Sequence, residues 1–117
     1  MLPKKNRLKK KKDFERVFKK GKGAKKDYLV LKVFNQRGDE DCRFAFIVSQ
    51  KVSKKATVRN KVRRRLREIV RKKIPFLKKG IDGIFIALPG LEEKNYQEIE
   101  KMVEFLFRKM KIFKNEK

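Results

Sequence analysis

Apolar side chains recur at intervals of three and four residues in two stretches of the chain, which is the spacing of one face of an α-helix. The first stretch lies between Ser53 and Lys73, and the second follows Asn95. Asn95 and Glu98 together resemble a capping box, which predicts the start of the second helix. Both apolar faces are expected to cover a sheet. They comprise Val58, Val62, Leu66, Ile69 and Val70 in the first helix and Tyr96, Ile99, Met102, Val103, Leu106, Phe107 and Met110 in the second.

Three short runs rich in β-branched and aromatic residues predict strands, at residues 28–35, 43–50 and 83–88. Pro89 and Gly90 would stop the third strand. The polar residues 36–41, which include Gly38, are expected to join the first two runs as a hairpin. The run at 28–35 is also compatible with two shorter strands.

The first part of the chain is basic and of low complexity. Residues 1–12 are predicted to form a flexible basic arm that becomes ordered only against a partner. Asp13 is predicted to cap a short helix whose apolar face holds Phe14, Val17 and Phe18. Gly21 and Gly23 would end this helix.

Charge is the dominant feature of the composition. The chain of 117 residues has 37 Lys and Arg against 14 Asp and Glu, a formal net charge of +23. Such a chain requires counter-charge, and a polyanion supplies it. Hydrophobic residues still make up 39% of the chain, enough for the core of a single domain spanning residues 1–117.

Several classes of protein are excluded by what the chain lacks. No apolar run approaches the roughly 18 residues of a membrane span, and no apolar stretch follows the basic N-terminus as it would in a signal peptide. We therefore expect a cytoplasmic protein without a membrane or small-molecule partner. The single cysteine, Cys42, is interpreted as a strand residue without chemistry, because the chain has no His to share a metal site.

The outer surface of the helix near residues 59–73 carries the densest positive charge. Its cations recur every four residues in a ridge about 18 Å long. Glu68 is the only acidic residue within this helix, whereas a merely soluble basic helix would interleave more Glu with its Lys. Arg also binds phosphate bidentately and stacks on bases, which favours RNA. The surface holds Arg59, Asn60, Lys61, Arg63, Arg64, Arg67 and Arg71.

The pattern Arg59-Asn60-x-x-Arg63-Arg64-x-x-Arg67-Glu68, preceded by Ser49-x-Lys51, resembles the signature of the protein subunit of bacterial ribonuclease P. The resemblance extends over nearly the whole chain, from Arg7-Leu8-Lys9 to Leu106-Phe107-Arg108-Lys109. It implies an α+β fold, a two-layer α/β sandwich in the order αβββαβα, with a left-handed βαβ crossover around the basic helix.

The resemblance also implies a function. Ribonuclease P removes the 5′ leader of precursor tRNA, and its RNA subunit performs the Mg²⁺-dependent hydrolysis. The protein would be an accessory subunit without catalytic or metal-binding residues of its own, which binds the leader and raises metal affinity. By this resemblance the ribonuclease P RNA would be contacted by Arg59, Asn60, Lys61, Arg63, Arg64 and Arg67, and the leader of precursor tRNA by Phe14, Phe18 and Lys51.

Other interpretations remain beside this one. Phe14 and Phe18 are also consistent with ordinary core packing. A ribosomal protein would also be small, basic and of mixed α and β structure. A cationic amphipathic helix can bind a membrane surface, although the apolar side of this helix is needed to cover the sheet. An independent nuclease is disfavoured, because Asp39, Glu40 and Asp41 lie in a predicted turn and the chain has no His.

Overall fold

The computed structural model describes residues 2–35 and 38–114. Three α-helices and four strands follow one another in the predicted order αβββαβα, which confirms the α+β fold. The 3₁₀ turns lie at Lys4–Asn6, Ile74–Phe76 and Leu91–Glu93. The main elements are α1 (Lys11–Lys20), β1 (Lys22–Lys26), β2 (Leu29–Asn35), β3 (Arg43–Ile47), α2 (Ala56–Lys73), β4 (Ile81–Ala87) and α3 (Tyr96–Lys109).

The four strands form one mixed sheet in the order β1-β2-β4-β3. The hairpin predicted between the runs at 28–35 and 43–50, which are β2 and β3, is therefore wrong, because β4 lies between them and pairs antiparallel with β2 and parallel with β3. Residues 36 and 37 of the predicted turn lie outside the described residues. Six of the seven residues of β4 are buried, so this strand needs cover on both faces and occupies the centre of the sheet. The left-handed crossover from β3 through α2 to β4 stays a prediction.

The hairpin of this fold is formed instead by β1 and β2. A turn of two residues, Asp27 and Tyr28, joins them, and Lys26 pairs with Leu29. The run at 28–35 is thus one strand and not two, and its missing partner is the basic segment Lys22–Lys26. Lysines are common on edge strands, where they discourage pairing with other chains. A segment so poor in apolar residues gives no strand signal of its own.

The main core lies between one face of the sheet and the two helices α2 and α3. Its centre is a group of buried Phe rings with centroids 5.6–6.0 Å apart, formed by Phe44, Phe85 and Phe107. The predicted apolar faces of α2 and α3 point here, although Val58, Tyr96 and Met110 are only half-buried. The capping box is confirmed: Glu98 N–H donates to Asn95 Oδ1 at 2.9 Å, and Asn95 N–H donates to Glu98 Oε1 at 3.0 Å.

The opposite face of the sheet, called the outer face below, is covered only in part. Helix α1 lies across it and buries Val17 with Leu8, Ala45 and Ile84 in a second, smaller apolar cluster. The helix ends close against β2, because a side chain at Gly21 would lie 2.7 Å from the carbonyl oxygen of Val33. In the described part of the chain, no helix is long and apolar enough to cross a bilayer.

The start of the chain corrects two predictions. The described residues 2–10 are not a free arm: Leu2 and Leu8 are buried, and Leu8 N–H donates to Phe44 O at 3.0 Å. Two leucines give this basic segment enough apolar surface to pack along β3. Asp13 is not the cap of α1, which begins after Lys10; it is buried and forms ion pairs instead.

Candidate RNA-binding interface

The outer surface of α2 holds the predicted basic ridge, but the ridge is not straight. Successive helix positions are rotated by about 100°, so residues four apart drift by about 40° around the axis. Arg59 and Arg63 are consequently half-buried on one flank, whereas Arg67 and Arg71 are exposed. The ridge therefore winds from the side of the helix onto its outermost face.

Several cations of α2 are engaged within the protein. Arg59 Nη1 donates to Ser53 O and Lys54 O, both at 3.0 Å, and so ties the preceding loop to the helix. Arg65 reaches away from the ridge and donates to Lys94 O at 2.9 Å. These two guanidinium groups hold the ends of neighbouring segments in place. Because they are already hydrogen-bonded, they are less available to bind a partner.

Side-chain pairs on the helix surface engage two more members of the ridge. Arg63 Nη1 donates to Asn60 Oδ1 at 2.5 Å, and Arg71 Nη2 donates to Glu68 Oε1 at 2.7 Å. The hydrogen bond from Arg71 holds the pKa of Glu68 below its ordinary value and raises the pKa of Arg71. Glu68 thus neutralises the C-terminal end of the ridge.

Three cations of α2 remain free for an external anion. Lys61, Arg64 and Arg67 are exposed, and none of them forms a hydrogen bond or an ion pair with residues 2–35 or 38–114. Arg59 and Arg71 show why sequence spacing alone overestimates such a surface. The exposed set at the centre of the helix is the part that phosphates can reach without breaking an existing contact.

The two phenylalanines of α1 lie on the same flank of that helix. Phe14 is half-buried against the smaller apolar cluster, whereas Phe18 is 41% exposed. Lys32 of β2 places its Nζ 5.9 Å from the centroid of the Phe18 ring. An aromatic ring and an ammonium group thus lie together beside α1.

Lys51 is not tied to either ring. It is exposed in the turn that follows β3, where its N–H donates to Ser49 Oγ at 3.3 Å. Within the part of the chain that the structure describes, its side chain has no partner. The structure therefore brings Phe14 and Phe18 together on one helix and places Lys51 on a separate loop.

A cavity of about 380 Å³ connects the flank of α1 with the surface of α2. Phe14 lines it from α1 and Arg67 lines it from α2, with Phe46 of the edge strand between them. Arg7 and Lys9, from the packed N-terminal segment, contribute two further cations. The sequence signalled Arg7 and Lys9 only as part of a basic stretch, and Phe46 only as a strand residue.

A buried ion-pair network positions α1 on the outer face. Arg43 of β3 donates from Nε and Nη2 to the two carboxylate oxygens of Asp82, at 2.9 and 2.7 Å, and from Nη1 to Asp13 Oδ2 at 3.2 Å. The hydrogen bond with Asp82 raises the pKa of Arg43. Because Asp13 directly precedes Phe14, this network fixes the position of the aromatic flank relative to the sheet.

The acidic residues do not assemble into a metal site. Among the described residues, no three Asp, Glu, Cys or His side chains come close enough to hold a metal ion together. The residues present therefore do not fit a Mg²⁺ ion bound by this chain alone.

Comparison with known proteins agrees with this architecture. The model of the family described as Ribonuclease P matches residues 2–111. The ribonuclease P protein component of Synechocystis sp. is 41% identical over 91% of this chain and 86% of its own length. That of Bacillus velezensis is 36% identical over 97% of this chain and 96% of its own.

Solved structures show the same fold. The ribonuclease P protein from Staphylococcus aureus superimposes with a TM-score of 0.81 at 28% identity, over 100% of this chain and 98% of that one. The protein from Thermotoga maritima gives a TM-score of 0.76 at 31% identity, over 87% and 96%. The fold and the basic helix thus define a protein subunit of a ribonucleoprotein enzyme.

The chain belongs to the bacterial ribonuclease P protein family. It is the protein component of an endoribonuclease that processes the 5′ end of precursor tRNA, and the RNA component of that enzyme is its implied partner.

Proposed function

We propose that α2 docks the protein on the ribonuclease P RNA, while the outer face of the sheet beside α1 receives the 5′ leader of precursor tRNA. The observation that carries the proposal is the cavity shared by Arg67 and Phe14. It makes the two predicted surfaces continuous, so that one RNA-bound protein can hold the leader beside the ribozyme.

The docking face would consist of Lys61, Arg64 and Arg67, supported by Arg63 with Asn60 and by Arg59. The first three are exposed and have no partner among the described residues, and a phosphate can pair with them without disrupting the fold. Arg59 would act mainly on the loop before α2, because its Nη1 already binds two carbonyl oxygens of that loop. A free guanidinium binds phosphate bidentately, which suits a structured RNA.

The leader site would use Phe18 as its exposed stacking surface and Phe14 as its half-buried wall. Aromatic faces stack bases with little sequence preference, and nearby cations hold the backbone. Lys32 supplies such a cation over Phe18. Lys51 would join only from its loop, at the margin of the site, since it has no contact with either ring.

The Mg²⁺ requirement of the ribozyme would be lowered indirectly. The chain carries a net charge of +23, and it would neutralise phosphate repulsion between the ribozyme and its substrate that Mg²⁺ otherwise screens. The metal ions themselves would be held mainly by the RNA subunit. Reconstitution tests this: a bacterial ribonuclease P RNA should cleave precursor tRNA at lower Mg²⁺ with the protein than without it. An unchanged Mg²⁺ requirement would contradict the proposal.

The docking face is tested by the salt dependence of RNA binding. Replacing Arg64 and Arg67 with Gln should weaken binding to the ribonuclease P RNA and reduce the slope of log K against log salt, by about 0.7 to 0.9 per lost phosphate contact. Replacing Lys78 and Lys79 with Gln removes the same charge from an exposed loop outside α2. If the two double variants gave equal slopes of log K against log salt, the ridge would not contact the RNA.

The leader site is tested by comparing two substrates. In the holoenzyme, Phe18→Ala should weaken binding of precursor tRNA by about 5-fold or more and leave mature tRNA unchanged, because only the precursor has a leader to stack. Phe76→Ala is a matched control, since Phe76 is also exposed but lies far along the chain, after α2. Equal losses of binding for precursor and mature tRNA would show that Phe18 has a structural role and does not contact the leader.

A further inference from the structure

A groove of about 660 Å³ lies between the β1–β2 turn and α3, away from both surfaces described above. Tyr28 of the turn and Phe105 of α3 line it together with Lys26, Lys94 and Lys101. Helix α3 packs over β1 and β2, whereas α2 packs over β3. Because β1 and β3 are the two edges of the sheet, the groove and the exposed cations of α2 lie over different edges, and α2 reaches the margin of the groove only through the hydrogen bond from Arg65 to Lys94 O.

The groove concentrates exposed aromatic surface. Among the described residues, the large apolar side chains that are exposed are Phe18, Tyr28, Phe76 and Phe105. Two of these four line this one groove, with Tyr28 exposed by 38% and Phe105 by 43%. Neither ring is needed by the main core, which is already filled by other phenylalanines. Exposed rings gathered in one depression are characteristic of a binding surface.

Each ring has a lysine ammonium above it. Lys26 Nζ lies 4.8 Å from the centroid of Phe105, and Lys94 Nζ lies 5.1 Å from that of Tyr28. The Tyr28 ring also lies close to the backbone of Gly90: a side chain at Gly90 would lie 2.7 Å from the ring, and Gly90 has a φ of +109° that favours glycine. A glycine at this position thus leaves room for the ring.

From this arrangement we propose that the groove is a second binding site for single-stranded RNA, separate from α2 and from the leader site. Aromatic rings flanked by cations bind unpaired nucleotides by stacking their bases and pairing with their phosphates. Asp27 and Glu98 also line the groove, but the carboxylate of Glu98 is engaged with the N–H of Asn95. A second copy of the chain is a poor occupant, because each copy carries a net charge of +23.

The chain contains no Trp, so a single introduced indole reports on one site alone. Phe105→Trp in the full chain places the reporter in the groove, and Phe76→Trp places a matched reporter on an exposed ring outside it. With an eight-nucleotide oligoadenylate, the emission of the Phe105→Trp protein should fall by about half through base stacking, while that of the Phe76→Trp protein should change little. The additional change Lys101→Gln should weaken the response several-fold.

Two further measurements make the result decisive. Polyphosphate has the charge but no bases, so it should bind the Phe105→Trp protein without the same loss of emission. Equal quenching by polyphosphate and oligoadenylate, or equal quenching of the two Trp reporters, would overturn the proposal. The proposal would also be overturned if the emission of the Phe105→Trp protein changed with protein concentration and sedimentation showed dimers. That result would assign the groove to a second copy of the chain. None of these outcomes depends on cleavage of precursor tRNA.

Discussion

Replacing Arg43 with Met should be among the most damaging single changes outside the main core. Arg43 is only 24% exposed, and its two shortest hydrogen bonds go to Asp82, a carboxylate that is 98% buried. Methionine keeps an unbranched apolar stem but removes all three guanidinium hydrogen bonds. Breaking a buried pair from one side costs about 3–5 kcal/mol. Partial exposure of Arg43 places the expected loss near the lower value, about 3 kcal/mol, or roughly 12 °C in Tm.

Urea denaturation followed by circular dichroism measures this loss in the free energy of unfolding. The double variant Arg43→Met with Asp82→Leu removes the charge from both sides, and it should recover part of the stability that the single variant loses. A single variant that loses under about 1 kcal/mol, or a double variant less stable than the single one, would refute the reasoning. Because the network also holds Asp13, the single variant should weaken leader binding more than binding to the ribonuclease P RNA.

Three further predictions concern stability and reactivity. Asn95→Ala removes one half of the capping box and should lower the free energy of unfolding by about 1 kcal/mol in urea denaturation; no loss would show that the box adds nothing in solution. Gly83→Ala places a methyl group 2.6 Å from the buried ring of Phe44, and thermal unfolding should show a loss of about 1–3 kcal/mol; an unchanged Tm would mean that the ring moves at no cost. Burial raises the pKa of Cys42 to about 11, so its thiol should resist alkylation at pH 8 until the chain unfolds. Since the unfolded thiol ionises first, near pH 9, stability should fall as pH rises from there to about 11; rapid alkylation of the native chain would contradict this burial.

The helices were largely predictable from sequence because their signals are local. The capping box at Asn95 and Glu98 and the apolar face of α2 each depend on residues within a few turns of one another. The Arg pattern beginning at Arg59 was sufficient to suggest the family. It could not show that Arg59 is bound to the preceding loop or that Arg71 is paired with Glu68, since side-chain partners depend on the folded surroundings of the helix.

The sheet was less predictable, because strand pairing joins segments that are distant in sequence. The basic segment Lys22–Lys26 becomes a strand only because β2 is available beside it. The hairpin predicted around Gly38 fails because β4 competes for the place beside β2 and buries more apolar surface there. The packing of residues 2–10 is likewise set by two leucines, which β3 can cover, and not by the charge of this segment.

The amino-acid pattern alone was enough to suggest the family, and with the family the order of the elements, and to locate the helix that concentrates positive charge. The strand order, the cavity lined by Arg67 and Phe14, and the groove lined by Tyr28 and Phe105 depend on the folded chain. The two groups of features differ in the distance along the chain over which their interactions act. Helix periodicity and capping act over a few residues along the chain, whereas these surfaces are made by residues up to about 80 positions apart that meet only when the sheet is assembled.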